Sequence, residues 1–157
     1  MDKGEYVHDE TCDEAVGCEL DALGREQARL VAARLDAMPV VFTSLQNSAL
    51  TRARGTAAII AVQMPELAPL VQNDIRECTP STRRQDVMAG LKPGEAVECE
   101  VQLAAAALRL LVPAAGAVDA HDIVVCHGNV IRWLVCSALG VDPQAWLGMS
   151  IANRSLT

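Results

Sequence analysis

The chain has 157 residues, a formal net charge of -7 and only Tyr6, Phe42, Trp133 and Trp146 as aromatics. A chain of this length buries roughly 70% of the surface it exposes when unfolded, enough for one domain with a genuine core. Acidity without a Lys/Arg-rich run, and so few rings, supply neither the electrostatic footprint nor the stacking surface that nucleic acid requires.

Residues 1 to 20 hold Asp2, Glu5, Asp9, Glu10, Asp13, Glu14 and Glu19 against Lys3 alone, so most of the negative charge is there. With Gly4 and Gly17 and no period of 2 or 3.6, this segment reads as an acidic loop. Asp21 is a good N-cap, and DALGREQARLVAARLDAM predicts an amphipathic helix with Leu23, Leu30, Val31 and Leu35 near one face. The run PVVFTS, residues 39 to 44, predicts a strand. SALTRARGTAAIIAVQMP predicts a second helix, capped by Ser48 and stopped by Pro65. A polar loop over residues 73 to 92 leads to KPGEAVECEVQLAAAALRLLVP, a third helix that Pro113 ends.

HDIVVCHGN then reads as a strand and a tight loop, and VIRWLVCSALG resumes helical spacing up to Gly140. Strands alternating with helices predict an α/β three-layer sandwich, a mostly parallel sheet with helices on both faces. Ligands in such sheets bind beyond the carboxyl ends of the strands, where residues 126 to 129 fall. Residues 1 to 157 read as a single domain, without repeat or linker.

The stretch VVCHGNVIRW poses a choice of reactive atom. Cys126 and Arg132 have the C-x5-R spacing of a cysteine phosphatase loop. A phosphate cradle of that kind needs small residues on a tight path, whereas HGNVI supplies one glycine and then bulky Val130 and Ile131. Cys126 therefore reads as a core residue closing a buried strand. His127 stands where a strand stops, beside Gly128, with helix N-terminal amides next in line to hold an anion. Arg52 opens another helix just beyond a strand, and Glu77 lies on the next loop; Arg54, Arg76, Arg83, Arg84 and Arg132 are further cations that could be solvated or structural. The six cysteines form no CxxC pair, and His8, His121 and His127 complete no finger-type spacing, so neither structural zinc nor any cofactor is expected. Reduced thiols in an intracellular, cytoplasmic setting are expected, together with the absence of a membrane segment.

Taken in order, LDALGREQARLVAARL, FTS with ALTRARGTAAIIA, IRE, IVVCHGNVIRWLVCSALG and NRSLT resemble the motifs of the histidine phosphatase superfamily, the phosphoglycerate-mutase-like enzymes. The resemblance runs from about residue 20 to 157 and is strongest toward the mitochondrial-type protein Ser/Thr phosphatases of that superfamily. It implies a phosphoglycerate mutase-like fold and hydrolysis of phosphate monoesters, including phosphoserine and phosphothreonine in proteins, through a phosphohistidine. It also implies Arg52 as a pocket arginine, Glu77 as general acid, His127 as the second histidine, and Gly128 and Asn129 as backbone contributors to the pocket. The implied partners are a phosphorylated protein or a small phosphate ester, with homo-oligomerisation left open. A mitochondrial location is implied if a further N-terminal segment precedes Met1.

The sequence departs from the family at the nucleophile. Where the resemblance places the arginine and histidine of an RHG motif, this chain has Asp2 and Lys3; Gly4 and Glu5 fit. A protonated ammonium does not attack phosphorus, and an acidic loop is the wrong setting to depress its pKa. His8, further along the loop, reads as a surface residue. The central strand that should precede RHG is expected to be missing, leaving its neighbours with unpaired backbone groups, and the family's last strand with it. LQNS, residues 45 to 48, reads as an insertion able to displace Arg52. These departures point to a truncated, mis-spliced or decayed copy that is inactive as written. The alternative is a non-catalytic pseudophosphatase that binds a phosphorylated ligand or partner; phosphoglycerate mutase activity is a weaker reading.

Overall fold

Asp21 sets the start of the first helix as the sequence predicts: its side chain accepts the Gly24 N–H at 2.6 Å and caps α1, Ala22–Asp36. The architecture is that of a computed structural model, which describes residues 19–113, 116 and 119–151. Asp2, Lys3, His8 and the NRSLT end lie outside the described residues. α1 buries Gly24, Ala28, Ala32 and Leu35, while Leu23 and Leu30 are 64% and 62% exposed. The expected leucine face is thus rotated, because α1 packs on helix α2, Thr51–Gln63, through small side chains, with Ala53 and Ala57 buried on the facing helix. Only Val31 and Leu35 of the expected four contribute to the core.

The strand expected at PVVFTS lies instead at β1, Ser44–Ser48, with the sequence SLQNS. It pairs in parallel on both edges, with β2, Pro69–Gln72, and with β3, Asp122–Val125, giving the sheet order β2-β1-β3. Position in the sheet overrides propensity here: β-branched Val41 is 82% exposed outside the strand, while Gln46, Asn47 and Ser48 are buried inside it. LQNS lies in the middle strand of the three described, and the displacement of Arg52 expected from it does not arise, since Arg52 sits in the first turn of α2 and lines the cavity. Since β1 is hydrogen-bonded to both neighbours, the unpaired groups expected beside a missing strand do not arise on it.

Helices cover both faces. On one, Ala32 and Leu35 of α1 and Ala57 and Ile60 of α2 pack with Leu45 and Ile123 of the sheet. The short helix α3, Gln85–Met88, precedes α4, Glu95–Leu111, and on the other face Cys99, Leu103 and Ala106 of α4 meet Val130 and Leu134 of helix α5, Gly128–Ala138. The alternation of Ile123 and Val124 between the two clusters is the period-2 signature of a strand buried on both sides. Gly140, at φ 65, takes the left-handed conformation after α5, and the Val141 N–H returns to the Cys136 carbonyl.

The polar segment 73 to 92 is more ordered than a loop, since it contains a 3-10 turn, Asn73–Ile75, as well as α3. Fully buried Trp146, in the 3-10 segment Pro143–Gly148, donates its Nε1–H to the Ser81 carbonyl at 3.1 Å and pins this segment from behind. A disulfide joins Cys78 to Cys99 of α4 with a Cα separation of 5.6 Å, which corrects the expectation of reduced thiols throughout. Chain topology brings the two sulfurs together although 21 residues separate them. Cys126 and Cys136 are free thiols. No helix among the described residues is long and apolar enough to cross a membrane.

Candidate functional site

Because the three strands are parallel, their carboxyl ends open on one edge of the sheet, and each end delivers one polar side chain. β1 runs into α2 and presents Arg52; β2 runs through Asn73–Ile75 to Glu77; β3 runs through Cys126 to His127, the N-cap of α5. The three line a common cavity of about 480 Å³ with Gly128, Asn129 and Arg132. Ala28, Val31, Leu35, Ile60 and Ile123 form its apolar part.

Glu77 sits between a cation and an imidazole: its Oε2 is 3.8 Å from Arg52 Nη2 and 3.6 Å from His127 Nδ1. His127 is 5% exposed, and its Nε2 lies 2.8 Å from Ser48 Oγ. Burial, and then the nearby Arg52 charge, push the His127 imidazolium down to a pKa of about 3, so the ring is neutral near pH 7 and its contact with Glu77 is not an ion pair. Asn129 donates from Nδ2 to the Cys78 carbonyl at 3.3 Å, tying the Glu77 loop to α5. At Gly128 a Cβ would meet Arg132 Nη1 at an ordinary 3.6 Å.

The first turn of α5 begins at Gly128, so the partial positive end of an 11-residue helix faces the same space as Arg52. Such a set can hold an oxyanion: a guanidinium, helix N-terminal amides and a neutral imidazole around a space with a carboxyl group beside it. Cys126 does not compete for this chemistry. Burial pushes its thiol up to about 12, and the Glu77 charge adds to the shift, while a hydrogen bond from the His127 backbone opposes it. The C-x5-R spacing is incidental.

Of the five further arginines, Arg132 alone lines the cavity; its Nε donates to the Met149 carbonyl at 2.9 Å and its Nη1 to Asn129 Oδ1 at 3.4 Å. Arg83 pairs with Asp142, Arg84 with Asp86, and Arg54 and Arg76 are exposed away from it. Ser48 does not cap α2 as the sequence predicts: the helix begins at Thr51 after Leu50, and Ser48 faces His127 instead. The signal for that role is a polar residue at the carboxyl end of a strand, and it is masked because PVVFTS, with its better β-formers, draws the strand toward earlier residues.

Comparison with known proteins agrees with this geometry. The histidine phosphatase superfamily (branch 1) model matches residues 4–157. The mitochondrial serine/threonine-protein phosphatase PGAM5 of Homo sapiens is 37% identical over 148 residues, covering 88% of this chain and 49% of that protein. The Caenorhabditis briggsae counterpart is 35% identical over 142 residues, covering 88% of this chain and 50% of that protein. The chain thus spans about half the length of the curated relatives it matches. Among solved structures, a Plasmodium falciparum phosphoglycerate mutase superposes with a TM-score of 0.64 at 25% identity, over 83% of this chain and 76% of that one. An α-ribazole phosphatase from Shigella flexneri shares the fold at a TM-score of 0.66 and 18% identity, over 86% and 74%. Sequence, fold and strand-end chemistry converge, and the chain belongs to the histidine phosphatase superfamily.

Proposed function

We propose that the cavity at the strand ends binds the phosphoryl group of a phosphate monoester, with phosphoserine or phosphothreonine in a protein as the substrate class. The observation that carries the reading is the convergence of Arg52, Glu77 and His127, delivered by three different strands, on one carboxylate oxygen. Arg52 and the α5 amides offset phosphoryl charge, neutral His127 donates a hydrogen bond, and Glu77 stands where a general acid would serve the leaving alkoxide in a relative that turns over. The substrate class rests on the protein Ser/Thr phosphatases to which the chain is similar, as does a mitochondrial location.

The sequence as it stands binds without turning over, because the position the family gives to its attacking histidine is held by Lys3 and the preceding arginine by Asp2. A lysine ammonium lacks the lone pair needed to accept the phosphoryl group, and Asp2 adds negative charge where a cation is required. This favours the pseudophosphatase reading for the chain itself and the phosphatase reading for its relatives. The test is a compound variant, Asp2→Arg with Lys3→His, against Asp2→Arg keeping Lys3. The histidine variant should form an acid-labile phosphohistidine and hydrolyse an aryl phosphate, and the variant keeping Lys3 should do neither. Comparable hydrolysis by the unaltered chain, once contaminating phosphatases are excluded, would overturn the assignment.

A further inference from the structure

Ser48 ends β1 and is fully buried, and its Oγ meets the Leu50 N–H at 3.3 Å and His127 Nε2 at 2.8 Å. We infer that Ser48 is a positioning residue that holds His127 as the tautomer protonated on Nδ1, so that the ring meets the Arg52–Glu77 end of the cavity as a hydrogen-bond donor. The role of that donor toward a phosphoryl oxygen rests on the function proposed above; the tautomer does not.

Counting donors and acceptors assigns the ring proton. A neutral imidazole has one N–H and one bare nitrogen, and a serine hydroxyl has one proton and two lone pairs. The Leu50 N–H already occupies one lone pair of Ser48 Oγ. If Nε2 carried the ring proton, it would donate to Ser48, the hydroxyl proton would then need another acceptor, and bare Nδ1 would lie 3.6 Å from Glu77 Oε2, two acceptors facing each other. If Nδ1 carries the proton, every group has its complement. Leu50 N–H donates to Ser48 Oγ, Ser48 O–H donates to Nε2, and Nδ1–H points toward the Glu77 carboxylate. The donors then run in one direction from the β1–α2 turn to Glu77, each polarising the next.

The same arrangement accounts for a strand that propensity does not favour. A central strand reading SLQNS is poor in β-formers, yet its last residue is the hydroxyl that the β3–α5 histidine needs, and the parallel pairing of β1 with β3 brings the two strand ends together. A threonine keeps the hydroxyl at that point; an alanine removes it and leaves a buried ring nitrogen without its donor.

Long-range ¹H–¹⁵N correlation of the His127 ring in the whole chain reads the tautomer directly, without activity or ligand. The wild type and Ser48→Thr should show a protonated Nδ1 and a bare Nε2, and Ser48→Ala should show the Nε2–H form or a mixture. Phosphate affinity by calorimetry should fall about tenfold in Ser48→Ala and stay within about twofold in Ser48→Thr. A wild-type ring protonated on Nε2, or a folded Ser48→Ala with unchanged Nδ1 protonation, overturns the inference. If Ser48→Ala does not fold, the wild-type and threonine spectra decide alone. An Nδ1–H ring in a protein that binds no phosphate would leave the positioning role standing and remove the proposed function instead.

Discussion

Glu77 Oε2 faces His127 Nδ1 at 3.6 Å while lying 3.8 Å from Arg52 Nη2, so a single carboxylate oxygen faces both a permanent cation and a neutral ring. A dianion entering the cavity therefore meets the Glu77 carboxylate charge as well as the Arg52 guanidinium. Sulfate remains dianionic across the weakly acidic to neutral range, and His127 stays neutral there because its pKa is about 3. Removing the carboxylate charge in Glu77→Gln should therefore tighten sulfate binding relative to the wild type at neutral pH. Isothermal titration at neutral pH checks this; equal sulfate affinity of the two proteins would remove Glu77 from the site.

Burial of neutral His127 also makes stability depend on pH. Its folded pKa, about 3, lies below the ordinary 6.5, so between these values the unfolded chain binds the extra proton. The contribution is therefore fully present above pH 6.5 and is lost as pH falls toward 3. From about pH 6.5 to about 4.5 this amounts to about 2 kcal/mol. Urea unfolding at the two pH values should show a loss of that order in the wild type and a clearly smaller one in His127→Gln. Equal losses would mean that other groups carry the acid sensitivity.

Cys126 should resist alkylation. With its thiol pushed up to about 12, the thiolate fraction near pH 8 is roughly one in ten thousand, and iodoacetamide should label the folded chain there only after unfolding. Peptide mapping after timed labelling measures this, and rapid stoichiometric labelling with loss of phosphate binding would return the cysteine to the site.

The Cys78–Cys99 bridge anchors the residue next to Glu77 to α4. Closing a loop over 21 residues of separation stabilises the fold by about 3 kcal/mol through the unfolded chain. Reduction with a dithiol, or Cys99→Ala, should lower the midpoint of unfolding accordingly and weaken sulfate binding at the same time. Unchanged binding in a fully reduced, folded sample would show that the hydrogen bonds from Asn129 to the Cys78 carbonyl and from Gln102 to the Arg76 carbonyl hold the Glu77 loop without the bridge.

Much of this architecture is legible in the residues. Asp21 capping α1, the stop before Pro113 and the strand-loop-helix around His127 all obey local rules, and the structure keeps them. Arg52 and His127 stand out in the sequence because each lies beyond an expected strand, whereas Glu77 follows β2, a strand the sequence pattern does not announce, and is marked by its loop and the family resemblance alone. The differences have one physical cause, the priority of tertiary pairing over propensity. PVVFTS has better β-formers than SLQNS, but SLQNS is the segment with neighbours on both edges. Leu23 and Leu30 outweigh alanines in any hydrophobicity count, yet a close helix pair prefers Ala28 and Ala32 at its contact. Ser48 and the Cys78–Cys99 pairing depend on partners 79 and 21 residues away, which no local spacing announces.

The proposal that Arg52, Glu77, His127 and the first turn of α5 form one phosphoryl-binding site is tested most directly by calorimetric titration of inorganic phosphate into the folded chain. The titration is run beside Arg52→Ala, with the His127 and Gly128 resonances followed in parallel. Saturable binding that moves both resonances, weakens with added salt and falls about 10- to 100-fold in Arg52→Ala is the expected result, since a charge-assisted contact contributes roughly 1.5 to 3 kcal/mol. Phosphate that leaves both resonances unmoved, or binds Arg52→Ala as tightly as the wild type, would contradict it.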